Sequence, residues 1–185
     1  MRLARYFGTY HYGTESSVAC RKGSLLAEQL VFGCEYAGGG CGPKTKSFMV
    51  MATNGAWSKP HGWWNMISAA KQRGVNIIVI DARRTKVAEL ATIHLQPKQG
   101  TDAALGAGIC RVLFEEGLFN KPFCDKWVYG VEEYRNYCKD FTPEKTEAIT
   151  GVPADLIVKA ARMYAEGPGS FALTSQSLSH SRNGV

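Results

Sequence analysis

Of the six cysteines in this 185-residue chain, Cys20 has the setting of a reactive thiolate. It stands just before a predicted helix and beside two cations, Arg21 and Lys22. The positive end of a helix and neighbouring positive charges both stabilise a thiolate over a thiol. Cysteine is also a common small residue in protein cores. These residues therefore leave two interpretations of Cys20 open, a functional thiolate and a small buried side chain.

Asp81 stands at the end of an uninterrupted apolar run, residues 77–80. A run of β-branched residues predicts a strand buried on both faces, residues 75–80, as in parallel sheets. Ligands of such sheets bind beyond the carboxyl ends of the strands. A carboxylate at that place can accept paired hydrogen bonds from a ribose diol or a guanine edge. It can instead start the turn or cap the next helix, and the run leaves these roles open.

Asn54 and Gly55 have the same kind of setting. They follow a second predicted buried strand, residues 47–52, and precede a helix that is predicted to begin near Pro60. Where a strand tip leads into a helix, free backbone N–H groups can hold phosphate. The glycine-rich stretch at residues 34–46 lacks the order GxGxxG after a strand, so it predicts a flexible connection instead.

The rest of the chain alternates strands with helices. We predict a short strand near Ile93–Leu95, and then a long helix with Thr101 as N-cap and Asp102 in its first turn. SFALTS is a last short strand. This order predicts right-handed parallel crossovers, and hence one α/β domain with a mostly parallel sheet over residues 1–185. Aromatic residues recur in helices at residues 118–150, where core packing is favoured over a base-stacking surface.

The composition argues against several classes of protein. Hydrophobic residues make up 45% and charged residues 21%, which indicates a globular chain. The net charge is +6, but Lys and Arg are scattered, so nucleic acid is not expected as a partner. No cysteines form a CxxC pair, which argues against a zinc ribbon or a compact iron–sulfur site. No apolar run has the length of a membrane span, and residues 1–10 lack the apolar region of a signal peptide.

Two long stretches resemble a known family. IDARRTKVAELATIHLQPKQGTDAALGAGICRVLFEEGLFNKPF is similar to a pattern of IDPR, then T and A, then PGTD, then ALL, then an EEGLYDKEF-like segment. EEYRNYCKDFTPEKTEAITGVPADLIVKAARMYA continues the match through TPE, TGVP, I, AR and A. With these motifs in order, nearly the whole chain resembles the central part of the large subunit of the molybdopterin oxidoreductases, the dimethyl sulfoxide reductase family. Formate dehydrogenases, periplasmic nitrate reductases and polysulfide reductases are members. The resemblance implies a three-layer, Rossmann-like domain with helices on both faces.

The resemblance implies a metal ligand at Cys20. SVACRKGSLLAEQLVFG is similar to the family segment in which cysteine, selenocysteine, serine or aspartate binds molybdenum or tungsten. A soft thiolate suits these metals, whose other ligands are pterin dithiolenes. Arg21 follows the ligand directly. It is expected either to orient an anionic substrate or to help keep the thiolate charged.

The resemblance also implies which residues bind molybdopterin guanine dinucleotide. Residues 52–58 are similar to the family segment GxNPxxS, with Asn54 retained, Ala52 in place of the glycine and Gly55 in place of the proline. Five further residues fit the family motifs DPR and GTD: Asp81, Arg83, Gly100, Thr101 and Asp102. In the family, the aspartate of GTD reaches the guanine end. His180 falls near a family glutamine that approaches a pterin.

A longer enzyme is implied in turn, because the family's amino-terminal domain with a 4Fe–4S cluster and its carboxyl-terminal barrel lie outside this sequence. The expected function is part of the catalytic subunit of a molybdenum- or tungsten-dependent oxidoreductase with a small-molecule substrate. Expected partners are the rest of the polypeptide and an iron–sulfur electron-transfer subunit. The alternatives are a non-redox hydratase or transhydroxylase of the family, and a non-catalytic nucleotide-binding or assembly module. The sequence leaves a cytoplasmic or a periplasmic location open.

Overall fold

The computed structural model describes residues 6–9, 22–34, 40–167, 169–175 and 178. Cys20, Arg21 and His180 lie outside these residues, so what the sequence predicts for them stays a prediction. In the part of the chain that is described, no helix is long and apolar enough to cross a membrane.

Four strands form one sheet in which every neighbouring pair is parallel. Their bounds are β1 Ser47–Met51, β2 Asn76–Ile80, β3 Ile93–Leu95 and β4 Ser170–Thr174. The order in the sheet is β3-β2-β1-β4. The chain moves outward from β1 to β3 and then crosses to the other side of β1, so the strand order reverses between β1 and β4. The predicted α/β fold with a parallel sheet is confirmed.

Nine α-helices and one π-helical segment are described. They are α1 Lys22–Phe32, α2 Gly55–Ser58, the π-helix Pro60–Trp64, α3 Asn65–Gln72, α4 Lys86–Glu89, α5 Asp102–Glu115, α6 Lys121–Trp127, α7 Val131–Cys138, α8 Pro143–Thr150 and α9 Ala154–Ala165. Side-chain oxygens of Thr85, Asn120 and Thr142 accept backbone N–H groups at the starts of α4, α6 and α8. These caps fix where three of the helices begin, because the first N–H groups of a helix otherwise lack acceptors.

The central strands β1 and β2 are buried on both faces of the sheet. Alternate residues of a strand point to opposite sides, so each strand contributes to two cores. In β2, Ile78 and Ile80 belong to the core that α5 and α9 cover. Ile77 and Val79 belong to a second core on the opposite face, with residues of α3 and α4. All four side chains are at most 1% exposed. The structure thus has the three layers that the resemblance implies.

The aromatic residues of α6, α7 and the turn between them differ from the prediction of core packing. Trp127 is 68% exposed, Tyr129 is 101% exposed and Phe123 is 54% exposed. Others pack on one another at the surface, as Tyr134 does on Tyr137 with ring centroids 6.1 Å apart. The prediction of core packing is wrong here, because helical spacing indicates that a helix has an apolar face but not that a second layer covers it.

Candidate functional site

Three predicted site segments leave the sheet at one edge, the carboxyl edge of the parallel strands. Ala52 follows β1 directly, and its N–H donates to the carbonyl oxygen of Ile80 at 2.7 Å. Asp81 follows β2 directly, and its N–H donates to the carbonyl oxygen of Leu95 at 3.1 Å. Each bond extends the sheet pairing by one residue, so the segments that follow β1 and β2 begin side by side.

Ala52 turns the chain out of β1 with a left-handed backbone. Its φ is +52°, the one positive φ outside glycine among the described residues. Crowding between Cβ and the following carbonyl makes this shape cost an L-amino acid about 1–2 kcal/mol. The family segment to which residues 52–58 are similar has glycine here. The chain therefore keeps a backbone shape that suits glycine, although an alanine occupies the position.

Two side-chain oxygens next to Ala52 are buried without a hydrogen-bond partner among the described residues. They are Thr53 Oγ1 and Asn54 Oδ1. An unsatisfied buried polar group costs about 1–3 kcal/mol, so it marks a place where a donor is missing. The main chain of Asn54 is fixed, because its carbonyl oxygen accepts the N–H groups of Trp57 and Ser58, each at 3.0 Å. Asn54 thus presents an acceptor from a well-held backbone.

Gly55 begins α2 where the chain comes close to the π-helix. A Cβ added at this position would lie 3.0 Å from Trp63 Cβ and 3.2 Å from the backbone nitrogen of Trp64. These neighbours are backbone or directly attached to it, so they have little freedom to move. This close approach thus favours glycine at position 55, where the family segment has proline.

Asp81 is held by its main chain and by one carboxylate oxygen. Its carbonyl oxygen accepts from His94 Nε2 at 2.9 Å, and its Oδ1 accepts the N–H of Arg83 at 2.8 Å. The following helix, α4, is capped by Thr85, whose Oγ1 accepts the N–H of Ala88. Of the two structural roles that the sequence left open, Asp81 therefore forms the turn and does not cap the helix. The turn engages Oδ1, and the described residues leave Oδ2 available.

Gly100, Thr101 and Asp102 form the turn that begins α5. Gly100 has φ of +79°, and the N–H of Thr101 donates to the carbonyl oxygen of Lys98 at 3.2 Å. Thr101 is the N-cap residue by position, as predicted. Its hydroxyl makes no capping bond, however, because it donates to the same Lys98 carbonyl oxygen at 2.6 Å. Thr101 therefore occupies the predicted N-cap position, but its side chain does not cap the helix.

Asp102 lies close enough to Asp81 for their charges to interact. Burial raises the pKa of the Asp102 carboxyl, a bond from its own backbone N–H lowers it, and the charge of Asp81 raises it further. One carboxylate comes from the end of β2 and the other from the start of α5. The two carboxylates therefore lie near one another at this edge of the sheet, where their remaining acceptor capacity could serve a ligand with several donors.

The structure brings Asn54, Asp81 and Asp102 to the same edge of the sheet. Sequence reasoning missed Thr53, which occupies the variable position of its motif, and His94, which the pattern gave no reason to select. Among the described residues, no three His, Cys, Asp or Glu side chains lie near enough to hold a metal ion. The metal-ligand prediction thus rests on residues outside the described part.

Comparison with known proteins gives relatives of one kind, although no family model matches the chain. The chain is 44% identical over 114 residues to acetylene hydratase of Syntrophotalea acetylenica, covering 60% of this chain and 16% of that protein. It is 38% identical over 121 residues to formate dehydrogenase H of Escherichia coli (strain K12), covering 65% and 17%. It is 35% identical over 116 residues to F420-dependent formate dehydrogenase 1 subunit alpha of Methanococcus maripaludis, covering 63% and 17%.

A solved structure agrees with these relatives. Acetylene hydratase from Pelobacter acetylenicus matches with a TM-score of 0.70 and 34% identity, over 77% of this chain and 20% of that one. The fold defines a doubly wound α/β domain. The relatives are members of the molybdopterin oxidoreductases, the dimethyl sulfoxide reductase family, and the chain is homologous to part of them. It spans about one fifth or less of the length of the proteins it matches, 14% to 20%.

Proposed function

We propose that the chain is part of the catalytic subunit of a molybdenum- or tungsten-dependent oxidoreductase, and that it binds molybdopterin guanine dinucleotide at the carboxyl edge of its sheet. The observation that carries the proposal is the buried Oδ1 of Asn54, which has no partner among the described residues. It lies at the tip of β1, next to the reversal of strand order between β1 and β4. Doubly wound sheets bind nucleotides at such reversals.

The acceptors at this edge suit the donors of a guanine nucleotide. Guanine offers N–H groups along one edge and ribose offers two hydroxyls, while Asp81 Oδ2 and the Asp102 carboxylate accept only. Donors that pair with Asp102 would offset the burial that raises the pKa of its carboxyl. Arg83 is exposed beside Asp81, and Gly100 and Thr101 lead into the N-terminal N–H groups of α5. We assign the pyrophosphate to these positive groups.

We propose Cys20 as the protein ligand of the metal, with Arg21 beside it and His180 near a pterin. When bound, the metal with its dithiolenes supplies electron-transfer or Lewis-acid chemistry that protein side chains lack. The Cys20 thiolate would hold the metal. The Arg21 cation would keep that thiolate ionised or orient an anionic substrate. In an enzyme that contains this chain, Cys20→Ser should keep the pterins but show one sulfur fewer in metal X-ray absorption. An unchanged sulfur count would mean that another residue is the ligand.

The similarity to acetylene hydratase favours a second candidate, a non-redox hydratase of the same family. An oxidoreductase would reduce a dye such as benzyl viologen with its small-molecule substrate, whereas a hydratase would add water to its substrate without dye reduction. A non-catalytic binding module would do neither and would still bind the nucleotide. Assays of the metal-loaded enzyme for both reactions therefore separate the three functions.

The longer enzyme is proposed to hold a 4Fe–4S cluster in another domain of the same polypeptide. One relative is named as an alpha subunit, which supports a partner subunit for this chain, and we propose that this partner transfers electrons through iron–sulfur clusters. Iron and labile-sulfide analysis of the purified complex would test this part. A complex with full activity and no iron would contradict it.

The nucleotide proposal is tested by calorimetry with guanosine diphosphate. Asp81→Ala and Asp102→Ala should each weaken binding by about 1.5–3 kcal/mol, the worth of a charge-assisted hydrogen bond. Asp155→Ala is the matched control, because Asp155 is also a first-turn aspartate, in α9. Melting of each variant separates binding from folding. If Asp81→Ala and Asp102→Ala fold normally and bind guanosine diphosphate as the parent chain does, the proposal is wrong.

A further inference from the structure

His94 is the middle residue of β3, at the edge of the sheet, and its side chain reaches the neighbouring strand. Its Nε2 lies 2.9 Å from the carbonyl oxygen of Asp81. A carbonyl oxygen can only accept, so His94 must donate, and its Nε2 carries a proton. In the sheet register His94 pairs with Val79, two residues before Asp81. The imidazole therefore reaches diagonally across to the neighbouring strand, past Val79 to Asp81, the residue that follows β2.

Asp81 is fixed on both sides by β3 and by its own turn. Its N–H donates to Leu95 and its carbonyl oxygen accepts from His94, so both peptide groups that flank its Cα are held. Its Oδ1 accepts the N–H of Arg83. With the backbone and one carboxylate oxygen fixed, the direction of Oδ2 is fixed as well. A change at His94 would release one of these three restraints and leave the other two in place.

We propose that His94 is a positioning residue for guanine nucleotide binding, which acts by holding the main chain of Asp81. This inference rests on the proposed function. The strand itself does not need the imidazole, because β3 pairs with β2 at three positions through its backbone. Ile93 and Leu95 supply the burial of the strand, at 6% and 0% exposure. The His94 side chain is thus not required to hold β3 in the sheet, and its hydrogen bond acts on Asp81.

Two substitutions in the full chain separate the hydrogen bond from the volume of the ring. His94→Leu keeps an apolar side chain of similar size and removes the donor, whereas His94→Gln keeps an N–H donor at a similar reach. With guanosine diphosphate as the probe, His94→Leu should weaken binding about fivefold, the effect of one ordinary hydrogen bond. His94→Gln should stay within about twofold of the parent chain, since its bond is retained.

A double-mutant cycle with Asp81→Ala distinguishes positioning from general support. If His94 acts through the Asp81 carboxylate, His94→Leu should have no further effect on binding once that carboxylate is absent. An equal loss in both backgrounds would overturn the inference, and so would parent-like binding by His94→Leu. Should His94→Leu fail to fold, His94→Asn serves instead, because its shorter side chain keeps polarity without the reach, and the same comparisons apply.

The two proposals fail in different ways. If Asp81→Ala weakens binding but His94→Leu does not, the nucleotide site stands and the role of His94 is wrong. If neither Asp81→Ala nor Asp102→Ala changes binding in folded protein, the nucleotide site itself is wrong. Melting measurements on each variant identify any loss that comes from unfolding.

Discussion

The left-handed backbone at Ala52 predicts that an alanine-to-glycine substitution stabilises the fold, opposite to the usual effect of glycine. Replacing an alanine by glycine usually destabilises, because glycine loses more backbone entropy on folding, about 0.5–1 kcal/mol. At φ of +52°, however, the alanine Cβ costs about 1–2 kcal/mol in the folded state. The difference favours glycine, so Ala52→Gly should stabilise the chain by about 0.5–1 kcal/mol.

Urea unfolding at constant pH measures this change. With a slope of roughly 2 kcal/mol per molar urea, the midpoint should rise by about 0.3–0.5 M. Ala69→Gly is the matched control, because Ala69 is an exposed residue inside α3. There the same substitution should cost about 1 kcal/mol, the usual helix penalty. If both variants lose stability to a similar extent, the left-handed backbone at Ala52 carries no strain and the predicted stabilisation is wrong.

Three further predictions concern packing, charge and thiols. Gly108→Ala should destabilise the fold by about 1–3 kcal/mol, because its Cβ would lie 2.6 Å from a threonine hydroxyl of α8. Gly106→Ala is the control, since its Cβ would meet open space and alanine favours the helix, so it should stabilise the fold. Urea midpoints that shift in opposite directions would support this, and equal shifts would refute it. Because burial raises the folded pKa of Asp102 above its ordinary 3.8, the stability of the fold should fall as pH rises above 3.8. Asp102→Asn should therefore stabilise the chain more at pH 7 than at pH 3, and an equal gain at both would contradict this reasoning. Burial also raises the pKa of the Cys110 thiol, so iodoacetamide at pH 7 should modify exposed Cys34 before Cys110; faster loss of Cys110 by mass spectrometry would exclude this order.

The sheet was predictable because two of its strands appear in the sequence as apolar runs. The predicted strands, residues 75–80 and 47–52, contain the uninterrupted apolar runs 77–80 and 48–52, and the structure has β2 and β1 within the predicted limits. The place of Asp81 and Asn54 at the carboxyl edge follows from the same pattern, since parallel strands all end at one edge. The long helix α5 begins directly after Thr101, the N-cap position that the sequence predicted.

Side-chain partners were not predictable in the same way. The pattern around Thr101 predicted a capping hydroxyl, but the hydroxyl donates to the Lys98 carbonyl oxygen instead. A threonine hydroxyl can form either bond, so the residue type does not decide between them. The spacing of aromatic residues near Trp127 predicted a core face, but helical spacing does not say whether another layer covers it. The bond from His94 to Asp81 depends on strand register, which no local pattern specifies.

The strain at Ala52 bears on binding as well as on stability. Residues held in a left-handed backbone persist where the surrounding structure fixes them, and they are common at ligand-binding sites. Here the segment is fixed at both ends, by the bond from Ala52 to Ile80 and by two N–H groups on the Asn54 carbonyl oxygen. The main chain that carries Asn54 is therefore held before a ligand arrives, and the ligand need not order it. Ala52→Gly should loosen this segment in the unbound state. It should then weaken guanosine diphosphate binding by roughly two- to fivefold while it stabilises the fold. Tighter binding by the glycine variant would show that the strain opposes the ligand, and the proposed pre-organisation would be wrong.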